Sequence, residues 1–442
     1  MKEYNIINVG LDDTDSLEGG CTTHLTGLFL LKLLEEKPGI LLADYPLLVR
    51  LNPAIPWKTR GNAATVLRIM CDCDPEEVAE AAWSIIEEYV GDRKWGVKGP
   101  GLVVAMGEPW RDPGLRLLYR KALTDVVALD QARGILEKRG AIARGSTGII
   151  GASAALAALA PGDDYTFELV FYRDPSRIGE ERCIDEGRAG EVEASLPPCV
   201  FNNYDQEEGR VTAAPGGYDP VLAGFRGDCP AKLFEYRRVL CEDPMFWVLY
   251  RSNQHTDAHK TVLTPRLTVY STGSARATIT GEPVVTPGGH VVVPATVNGV
   301  ETDLVFYRET GPLSKAARML RRGDEVEVLG SVKPYGKKNG RSIAVEKMWI
   351  ESIAPHSIRA VPRCPRCGRR MKSAGKDKGY RCKHCNYKTN TKTIIHVYRD
   401  LSPGEYTPKT GRLPHLVKPH WRAPRALLKL PMTIRPEQVI GT

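Results

Sequence analysis

Residues 6–24, IINVGLDDTDSLEGGCTTH, place a short apolar segment, an acidic cluster, two glycines and the start of an apolar helical pattern in direct succession. The segment 6–11 has the length of a buried strand, and the helical pattern continues to about residue 34. A strand that leads through a glycine turn into a helix is typical of an α/β layer. In such layers, polar residues at a strand end lie where ligands bind.

The acidic cluster consists of Asp12, Asp13 and Asp15. Clustered carboxylates repel each other unless a cation neutralises them, and Mg²⁺ is the natural oxygen-binding partner. Strand alternation would put Asp13 and Asp15 on one side and Asp12 on the other. We expect all three to be catalytic and to hold magnesium. A turn stabilised by Asx caps is the alternative.

The segment GGCTT, residues 19–23, opens the predicted helix. The backbone N–H groups at a helix N-terminus attract anions. We therefore expect Gly20, Thr22 and Thr23 to contact the phosphates of a nucleotide, with a threonine hydroxyl placed to meet a phosphoryl group. The alternative is that the threonines only cap the helix.

The segment NPAIPWKTRGN, residues 52–62, carries Lys58 and Arg60. A lysine, with its compact charge, and an arginine, whose planar guanidinium donates two parallel hydrogen bonds, commonly bind a polyphosphate together. With the acidic cluster and the helix N-terminus, this loop predicts an ATP–Mg²⁺ site. The chain has neither a Walker A pattern nor a kinase glycine loop, so any phosphoryl transfer uses a different framework. A solvated basic loop is the alternative.

The length of 442 residues predicts several domains. Residues 1–135 are predicted to form an α/β domain, with further strands at 47–51 and 64–70 and a helix at 76–89 whose apolar residues share one face.

A second α/β or α+β domain is predicted over residues 136–262. It has a helix of small residues at 152–160 and an apolar strand at 166–172. The stretch 174–220 is rich in charges, glycines and prolines, and it predicts loops and short elements.

Residues 266–353 have the texture of a β domain. Period-two patterns predict five strands, at 275–281, 290–297, 302–307, 325–332 and 342–350. A short helix at 313–320 precedes the fourth strand. This order is typical of an OB-fold barrel, a frequent nucleic-acid module. Another small β-barrel is the alternative.

Two CxxC pairs supply Cys364, Cys367, Cys382 and Cys385. Four thiolates without an open position define a structural Zn²⁺ site, which stabilises a segment too small to fold alone. His384 lies inside the second pair and is expected to be an exposed ring rather than a ligand.

The zinc ribbon, residues 360–390, combines many cations with tyrosines. Cations suit phosphates and aromatic rings suit unstacked bases, so the ribbon predicts RNA binding. A protein-binding ribbon is the alternative. The residues expected to contact RNA are Arg366, Arg369, Arg370, Lys378, Tyr380, Arg381 and Lys383.

Charge is distributed unevenly. Residues 359–435 hold 20 Lys and Arg against 3 Asp and Glu, whereas the rest of the chain holds 41 against 50. A basic C-terminal quarter on an acidic body predicts a polyanionic partner at that end. The tail, residues 391–442, is basic and rich in proline, so long regular elements are not expected there.

Composition and cysteine usage predict a cytoplasmic location. No stretch approaches the roughly 20 apolar residues of a membrane helix, and the N-terminus lacks the apolar run of a signal peptide. Seven of the eleven cysteines lie outside the CxxC pairs, and an odd remainder argues against a disulfide framework. Reduced thiols with one metal site fit the cytoplasm. Neither a membrane nor an obligate protein partner is expected.

In the order GLDDTDS, GGCTTH, KTRGN, β-barrel and CxxC ribbon, the chain resembles the archaeal 2-agmatinylcytidine synthetases of the minor isoleucine tRNA. The resemblance spans nearly the whole chain. It implies a kinase-like ATP-binding domain over residues 1–135, a ferredoxin-like domain with the agmatine pocket over 136–262, an OB-fold RNA-binding domain over 266–353, and the zinc ribbon.

The resemblance also implies the reaction. The family joins agmatine to carbon 2 of the wobble cytidine in the CAU anticodon, and the resulting agmatidine pairs with A, so that the tRNA reads AUA. ATP phosphorylates the carbon 2 oxygen of the cytidine, and the amine of agmatine then displaces it. The implied cofactors are ATP, Mg²⁺ and Zn²⁺.

Carried over by position, the acidic motif of the family corresponds to the three aspartates above, which would hold Mg²⁺. The threonine that becomes phosphorylated corresponds to Thr22, either as an intermediate or as a regulatory mark. Lys58 and Arg60 would bind phosphates or the charge of the transition state.

Agmatine carries an amine and a guanidinium group, so its pocket needs carboxylates or carbonyls. The sequence does not choose among several candidates. A further candidate, His255, lies in a segment that resembles a family motif, with a hydrogen-bonded loop histidine as the alternative. The carboxylate candidates are Asp163, Asp164, Asp219 and Asp257.

Two other functions compete with this interpretation. The first is a non-catalytic RNA-binding factor with an OB barrel and a zinc ribbon, but an inert platform needs neither three clustered aspartates nor the KTRGN loop. The second is a Mg²⁺-dependent phosphohydrolase of a small ester, which needs no cationic C-terminal quarter.

Overall fold

The chain forms a large sheet with helices on both faces, a closed β-barrel and a small zinc ribbon. The prediction of an α/β body followed by a β domain and a ribbon is thereby confirmed. No helix among the described residues is long and apolar enough to cross a membrane. The structure is a computed structural model, which describes residues 5–16, 18–91, 99–334, 340–427, 429–430 and 432–442.

The large sheet joins the first two predicted segments. The strands before residue 253 are β1 (Asn5–Asp12), β2 (Leu41–Leu42), β3 (Leu47–Arg50), β4 (Ala63–Cys71), β5 (Gly101–Met106), β6 (Ile142–Gly145), β7 (Thr166–Tyr172), β8 (Tyr204–Asp205), β9 (Arg210–Val211), β10 (Val221–Gly227) and β11 (Phe246–Ser252). Their order in the sheet is β10, β7, β11, β3, β4, β1, β5, β6, with β2 beside β4, and β8 and β9 form a separate hairpin. Because β3 and β11 are parallel neighbours, the two segments share one sheet.

Helices cover both faces of this sheet. They are α1 (Thr22–Glu36), α2 (Pro75–Val90), α3 (Pro113–Thr124), α4 (Leu129–Arg139), α5 (Ile149–Leu156), α6 (Glu186–Ser195), α7 (Pro230–Leu233) and, in the barrel, α8 (Pro312–Ala317). Val9 and Leu11 of β1 join the core under α1 and α2. Gly10 faces α5, where a Cβ atom would lie 2.6 Å from the carbonyl oxygen of Ala152. A side chain at this position would push α5 away from the end of β1.

Most predicted elements of the sheet are confirmed, including the strands at 47–51, 64–70 and 166–172. The helix of small residues is α5, which begins and ends earlier than predicted. Its N-cap residue is Gly148, which has no side chain that could mark the start of the helix in the sequence. The stretch 174–220 also contains α6, a regular helix whose sequence signal is its N-cap Asp185.

The β domain is a closed barrel. Its strands are β12 (Thr272–Ile279), β13 (Val284–Val285), β14 (Val291–Val297), β15 (Val300–Phe306), β16 (Glu325–Pro334) and β17 (Arg341–Ser352). The path β12, β16, β17, β15, β14 is closed by pairing of β14 with β12. Alternate residues of β14 are buried, which is the period-two pattern that predicted these strands.

The C-terminal region returns to the body of the protein. Its strands are β18 (Ser357–Ala360), β19 (Lys372–Ser373), β20 (Tyr380–Arg381), β21 (Lys388–Thr389), β22 (Thr393–His396), β23 (Gly404–Tyr406) and β24 (Ile440–Gly441). After the zinc ribbon, β23 pairs with β17 of the barrel, and β24 pairs with β11 of the large sheet. The tail therefore packs on both larger units, with Leu416 and Val417 buried.

Candidate active site

Strand β1 ends at Asp12, and Asp13 has a positive φ of 54°. This turn breaks the strand alternation, so the expectation that Asp13 and Asp15 share a side is wrong. Asp12 and Asp13 line one small pocket together, whereas Asp15 lines a larger neighbouring pocket. Asn62 of the KTRGN loop lines both pockets, so that they meet at this residue.

The smaller pocket, called here the acidic pocket, has a volume of about 100 Å³ and is also lined by Lys58 and Thr147. The hydroxyl group of Thr147 donates a hydrogen bond of 3.4 Å to Asp13 Oδ2. A Cβ atom on Gly151, in α5, would overlap Asp12 Oδ2. The carboxylate and hydroxyl oxygens are the kind of ligand that Mg²⁺ prefers. The amine of Lys58 suits the charge of a phosphate group. Thr147 and Gly151 were not predicted from the sequence.

The larger pocket, called here the central pocket, has a volume of about 270 Å³ and opens beside the start of α1. Thr22 and Thr23 line it, but neither caps the helix, because the N-cap residue is Cys21 and has no side-chain cap. Instead, the Thr22 hydroxyl accepts a hydrogen bond of 3.1 Å from Thr14. Gly20 has φ +84° in the preceding turn, half-buried, and is not among the described lining residues.

Arg60 bridges two carboxylates of the central pocket. It lies 2.6 Å from Asp219 and 4.0 Å from Asp15, and the Thr59 hydroxyl donates to Asp15 at 2.9 Å. Burial raises the pKa of Asp219, and the charge of Arg60 partly offsets this effect. Lys58, only two residues away, lines the acidic pocket. The two predicted cations thus serve different pockets.

One wall of the central pocket is a buried polar network that the sequence did not single out. Glu168, at the centre of β7, lies 3.5 Å from Arg50 and 3.3 Å from Arg226, and it accepts a hydrogen bond from Gln254. All of these except Gln254 line the pocket. The available signal was a single acidic residue in the otherwise apolar strand TFELVFY, because a buried carboxylate needs partners.

Of the carboxylates proposed for agmatine, Asp219 lines the central pocket. The others are bound elsewhere: Asp163 pairs with Arg116, Asp164 with Arg422, and Asp257 with Lys347. The structure therefore brings only Asp219, among these four candidates, into contact with the pocket.

His255 is a buried structural residue in this structure. Its Nδ1 atom is 3.0 Å from the carbonyl oxygen of Val417, and its Nε2 atom is 3.2 Å from Asn202. Burial lowers its pKa to about 3. This environment matches the alternative of a hydrogen-bonded loop histidine.

The four predicted zinc ligands form one cluster, and their sulfur atoms all lie within 4.8 Å of one another. Backbone N–H groups lower the pKa of Cys382 to about 6, which favours the thiolate that a metal requires. His384 is exposed and outside the cluster. These residues fit a structural zinc ion.

The predicted RNA contacts on the ribbon are six exposed cations and the half-buried Tyr380, which packs on the small core of the ribbon. Arg366 lies over the ring of Tyr387 at 5.6 Å, and Arg381 donates to Asn386. The cationic groups face solvent: Arg366, Arg369, Arg370, Lys378, Arg381 and Lys383.

Several cations of the tail pair with carboxylates of the body. Arg412 and Lys409 lie 2.8 and 3.1 Å from Asp205, and Arg399 lies 2.5 Å from Asp324. The expectation that the whole basic quarter faces a polyanion is therefore too broad. Part of this charge stabilises the attachment of the tail.

Arg422 is the most buried of these cations, with its side chain 1% exposed, and it lies 2.7 Å from Asp164 and 2.9 Å from Asp228. Replacing Arg422 by alanine should lower the free energy of unfolding by about 3–5 kcal/mol, because two enclosed carboxylates lose their partner. Denaturant titration measures this change. Arg425→Ala, which removes a half-exposed cation 3.9 Å from Asp228, is the control, and an equal loss in both variants would contradict the prediction.

The remaining cysteines differ from expectation. Cys71 and Cys73 form one disulfide, and Cys199 and Cys229 form another. These two pairs contradict the expectation that the odd remainder of seven cysteines argues against disulfides, because an odd number in the sequence does not show which cysteines the fold brings together.

An α/β body with adjoining acidic and central pockets, a β-barrel and a zinc ribbon define this chain as a multidomain enzyme. Family models match the TiaS TCKD domain over residues 8–73, the TiaS FLD domain over 146–259, and the TiaS C-terminal zinc ribbon domain over 361–401.

The chain is 49% identical to an isoleucine tRNA 2-agmatinylcytidine synthetase TiaS of Acidilobus saccharovorans, over 99% of both chains. It is also similar to the crystal structure of TiaS in complex with its isoleucine tRNA and ATP, with a TM-score of 0.83, 33% identity and coverage of 95% and 97%. A complex of TiaS with this tRNA, AMPCPP and agmatine gives a TM-score of 0.81 and 30% identity, over 95% of this chain and 97% of that chain. The chain belongs to the isoleucine tRNA 2-agmatinylcytidine synthetase (TiaS) family, whose members are tRNA-modifying ligases.

Proposed function

We propose that this chain ligates agmatine to carbon 2 of the wobble cytidine of the minor isoleucine tRNA, with ATP, at the junction of the acidic and central pockets. The observation that carries this proposal is that Asn62 lines both pockets. A nucleotide bound on one side of this residue is thereby adjacent to an acceptor bound on the other. The reaction takes place in the cytoplasm.

The acidic pocket holds the nucleotide and Mg²⁺ in this proposal. Asp12 and Asp13 supply oxygen ligands to the metal, and Lys58 neutralises phosphate charge. Asp15 acts from the central side of the junction, where Arg60 also meets the transferred phosphoryl group. Support comes from the lining of each pocket.

The central pocket holds the reacting cytidine and agmatine. Thr22 accepts a phosphoryl group of ATP at its hydroxyl, which loses its proton as the phosphorus–oxygen bond to the leaving nucleotide breaks. This hydroxyl lies at the start of α1, where backbone N–H groups stabilise an anion. Asp219 and Glu168 attract the cationic ends of agmatine. The carbon 2 oxygen of cytidine is a poor leaving group until it is phosphorylated. The amine nitrogen then forms a bond to carbon 2, and phosphate departs with the electron pair of the carbon–oxygen bond.

The barrel and the ribbon hold the tRNA. We assign residues 266–353 to an OB-fold domain, 1–135 to a kinase-like domain, and 136–262 to a ferredoxin-like domain. Support comes from the closed five-strand path of the barrel and the exposed cations of the ribbon. The target base leaves its stack to reach the central pocket.

The test combines purified protein, ATP, Mg²⁺, radiolabelled agmatine and an unmodified transcript of the minor isoleucine tRNA. We expect ATP-dependent label on this tRNA and none on a CAU methionine tRNA. Tight tRNA binding and intact zinc without any label would instead favour a non-catalytic RNA-binding factor.

Replacing Gly151 by alanine should lower agmatine transfer about 10–100-fold, because the new Cβ atom overlaps Asp12 Oδ2 and displaces a ligand group. Initial rates of label transfer measure the effect. Gly134→Ala, in α4, has no atom within 4 Å of the new Cβ and is the control. Equal rates for both variants and the wild type would contradict the role of Asp12.

A further inference from the structure

Two exposed cysteines, Cys183 and Cys241, face each other across a short antiparallel bridge. The bridge pairs Ile184 with Leu240. Directly beside it, the backbone N–H of Cys241 donates a hydrogen bond of 3.1 Å to the carbonyl oxygen of Cys183. In an antiparallel ladder, the neighbours of one facing pair form the next facing pair. The two cysteines therefore lie opposite each other on adjacent segments of the chain.

This arrangement fits the geometry of a disulfide. Facing residues of a hydrogen-bonded antiparallel pair have Cα atoms about 5.5 Å apart, and disulfides usually join Cα atoms about 4.4–6.8 Å apart. The two thiol groups already interact, because a hydrogen bond with the Cys183 thiol raises the pKa of Cys241 to about 11. Both cysteines are exposed, so a small molecule in solution reaches them.

The pair also accounts for the odd number of cysteines. Of the eleven cysteines, four form the metal cluster and four form the two disulfides. The three that remain are Cys21, Cys183 and Cys241. Cys21 lines the central pocket, where its sulfur lies 3.1 Å from the hydroxyl oxygen of Thr23. A bond between the other two leaves this pocket residue as the single unpaired cysteine.

An ion pair already joins the two segments that carry these cysteines. Glu242, which follows Cys241, lies 3.0 Å from Arg173, and both side chains are buried. Arg173 also donates a hydrogen bond of 2.8 Å to the carbonyl oxygen of Glu180. The segment between β7 and Cys183 is therefore held at this contact, and a disulfide would add a covalent bond beside it.

Arg182, directly before Cys183, connects this contact to the central pocket. Its guanidinium group donates hydrogen bonds to the carbonyl oxygens of Asp219 at 2.7 Å and Val221 at 2.9 Å. The side chain of Asp219 lines the central pocket. The position of Arg182 thus determines how the loop 217–221 presents this carboxylate.

We propose that Cys183 and Cys241 form a reversible disulfide by exchange with a low-molecular-weight disulfide, and that this bond fixes Arg182 and the loop 217–221 for agmatine binding. The effect on agmatine rests on the proposed function of the central pocket. Arg182 is a positioning residue in this scheme, because it acts on the pocket through the backbone of the loop.

The exchange has two steps. One cysteine loses its proton and attacks a sulfur atom of the small disulfide, so that a mixed disulfide forms and one small thiolate leaves. The second cysteine then loses its proton and attacks the protein sulfur of the mixed disulfide, which releases the second thiolate. The two cysteines are oxidised, and the small disulfide is reduced to two thiols that take up the two protons.

Peptide mapping tests the bond itself. The purified full chain is incubated with excess oxidised glutathione, free thiols are blocked, and trypsin digestion follows without a reductant. Trypsin releases residues 183–188 and 239–251 as two peptides, each with a single cysteine. We expect these peptides to be joined by a disulfide after oxidation. After incubation with reduced glutathione, we expect them as separate peptides with blocked thiols.

The KM for agmatine tests the effect on the pocket, at saturating tRNA and ATP. We expect the KM of the oxidised protein to be about two- to tenfold lower than that of the reduced protein, because a fixed loop loses less conformational freedom on binding. The matched control is the double variant Cys183→Ser/Cys241→Ser, which carries all other cysteines through both treatments. Its KM should be the same after oxidation and after reduction.

Absence of the joined peptides would overturn the proposal. Equal KM values for the oxidised and reduced wild type, or the same shift of KM in the double variant, would also overturn it. Failure of the proposed function is a distinct result, because the wild-type protein would then transfer no label in either redox state. The joined peptides would still form in that case, and only the effect on agmatine would be contradicted.

Discussion

Asp13→Asn should lower agmatine transfer to the minor isoleucine tRNA about 1000-fold while leaving tRNA affinity within twofold of the wild type. Asp13 lines the acidic pocket with Asp12 and Lys58, where a cation and a polyphosphate would balance its charge. Asparagine keeps the size of the side chain but removes the charge that attracts Mg²⁺, and preorganised charge contributes about 10²–10³-fold per group or more. The exposed ribbon, which carries the predicted RNA contacts, is unaffected.

The measurement pairs rates of label transfer with a filter-binding titration of tRNA. Glu18→Gln is the matched control, because it removes one negative charge from the same loop at an exposed position. We expect the control to be within twofold of the wild type in both assays. If Asp13→Asn were fully active, the metal would bind to other residues. Equal losses of transfer rate in Asp13→Asn and Glu18→Gln would indicate a general effect of charge.

Removal of zinc from the ribbon should weaken tRNA binding while the rate of agmatine transfer at saturating tRNA is largely kept, which is the reverse of the effect of Asp13→Asn. Cys367→Ser leaves three thiolates of the cluster, and a segment with only a small core cannot hold its shape without the metal. We expect tRNA affinity to fall at least about 30-fold, because the exposed cations of the ribbon lose their fixed arrangement. At saturating tRNA, the rate of agmatine transfer should recover towards the wild-type value.

Zinc content, tRNA affinity at two salt concentrations and transfer rate at saturating tRNA test this prediction. Cys241→Ser, at an exposed cysteine outside the cluster, controls for the loss of a thiol. If Cys367→Ser lost its zinc but bound tRNA with wild-type affinity and salt dependence, the ribbon would not be part of the RNA site.

The zinc ligands and the acidic cluster were predictable because their chemistry requires particular residue types at short spacing. Two CxxC pairs predicted a cluster whose sulfur atoms the fold does bring together. Asp12 and Asp13 were predicted as neighbours in one site and line one pocket. Which pocket each aspartate lines was not predictable, because the positive φ of Asp13 ends the strand alternation on which the expectation was based.

The charge of the tail shows where composition misleads. Arg412 and Arg422 looked like part of one cationic surface with the ribbon, but they bind Asp205 and Asp164 of the body. Each partner lies more than 200 residues away in the sequence, and no local pattern encodes such a distance. Ion pairs across the fold depend on the path of the chain.

By itself, the sequence determined the α/β character of the first segment, the strands of the barrel, the zinc site and the motifs that predicted the family. These features depend on apolar period and on short spacing, which are local properties of the chain. The tertiary structure alone decided that Gln254 is hydrogen-bonded to both Glu168 and His415 beside the central pocket. These residues come from β7, from the segment after β11 and from the tail. Only the folded chain brings them within hydrogen-bonding distance, where burial gives them their chemistry.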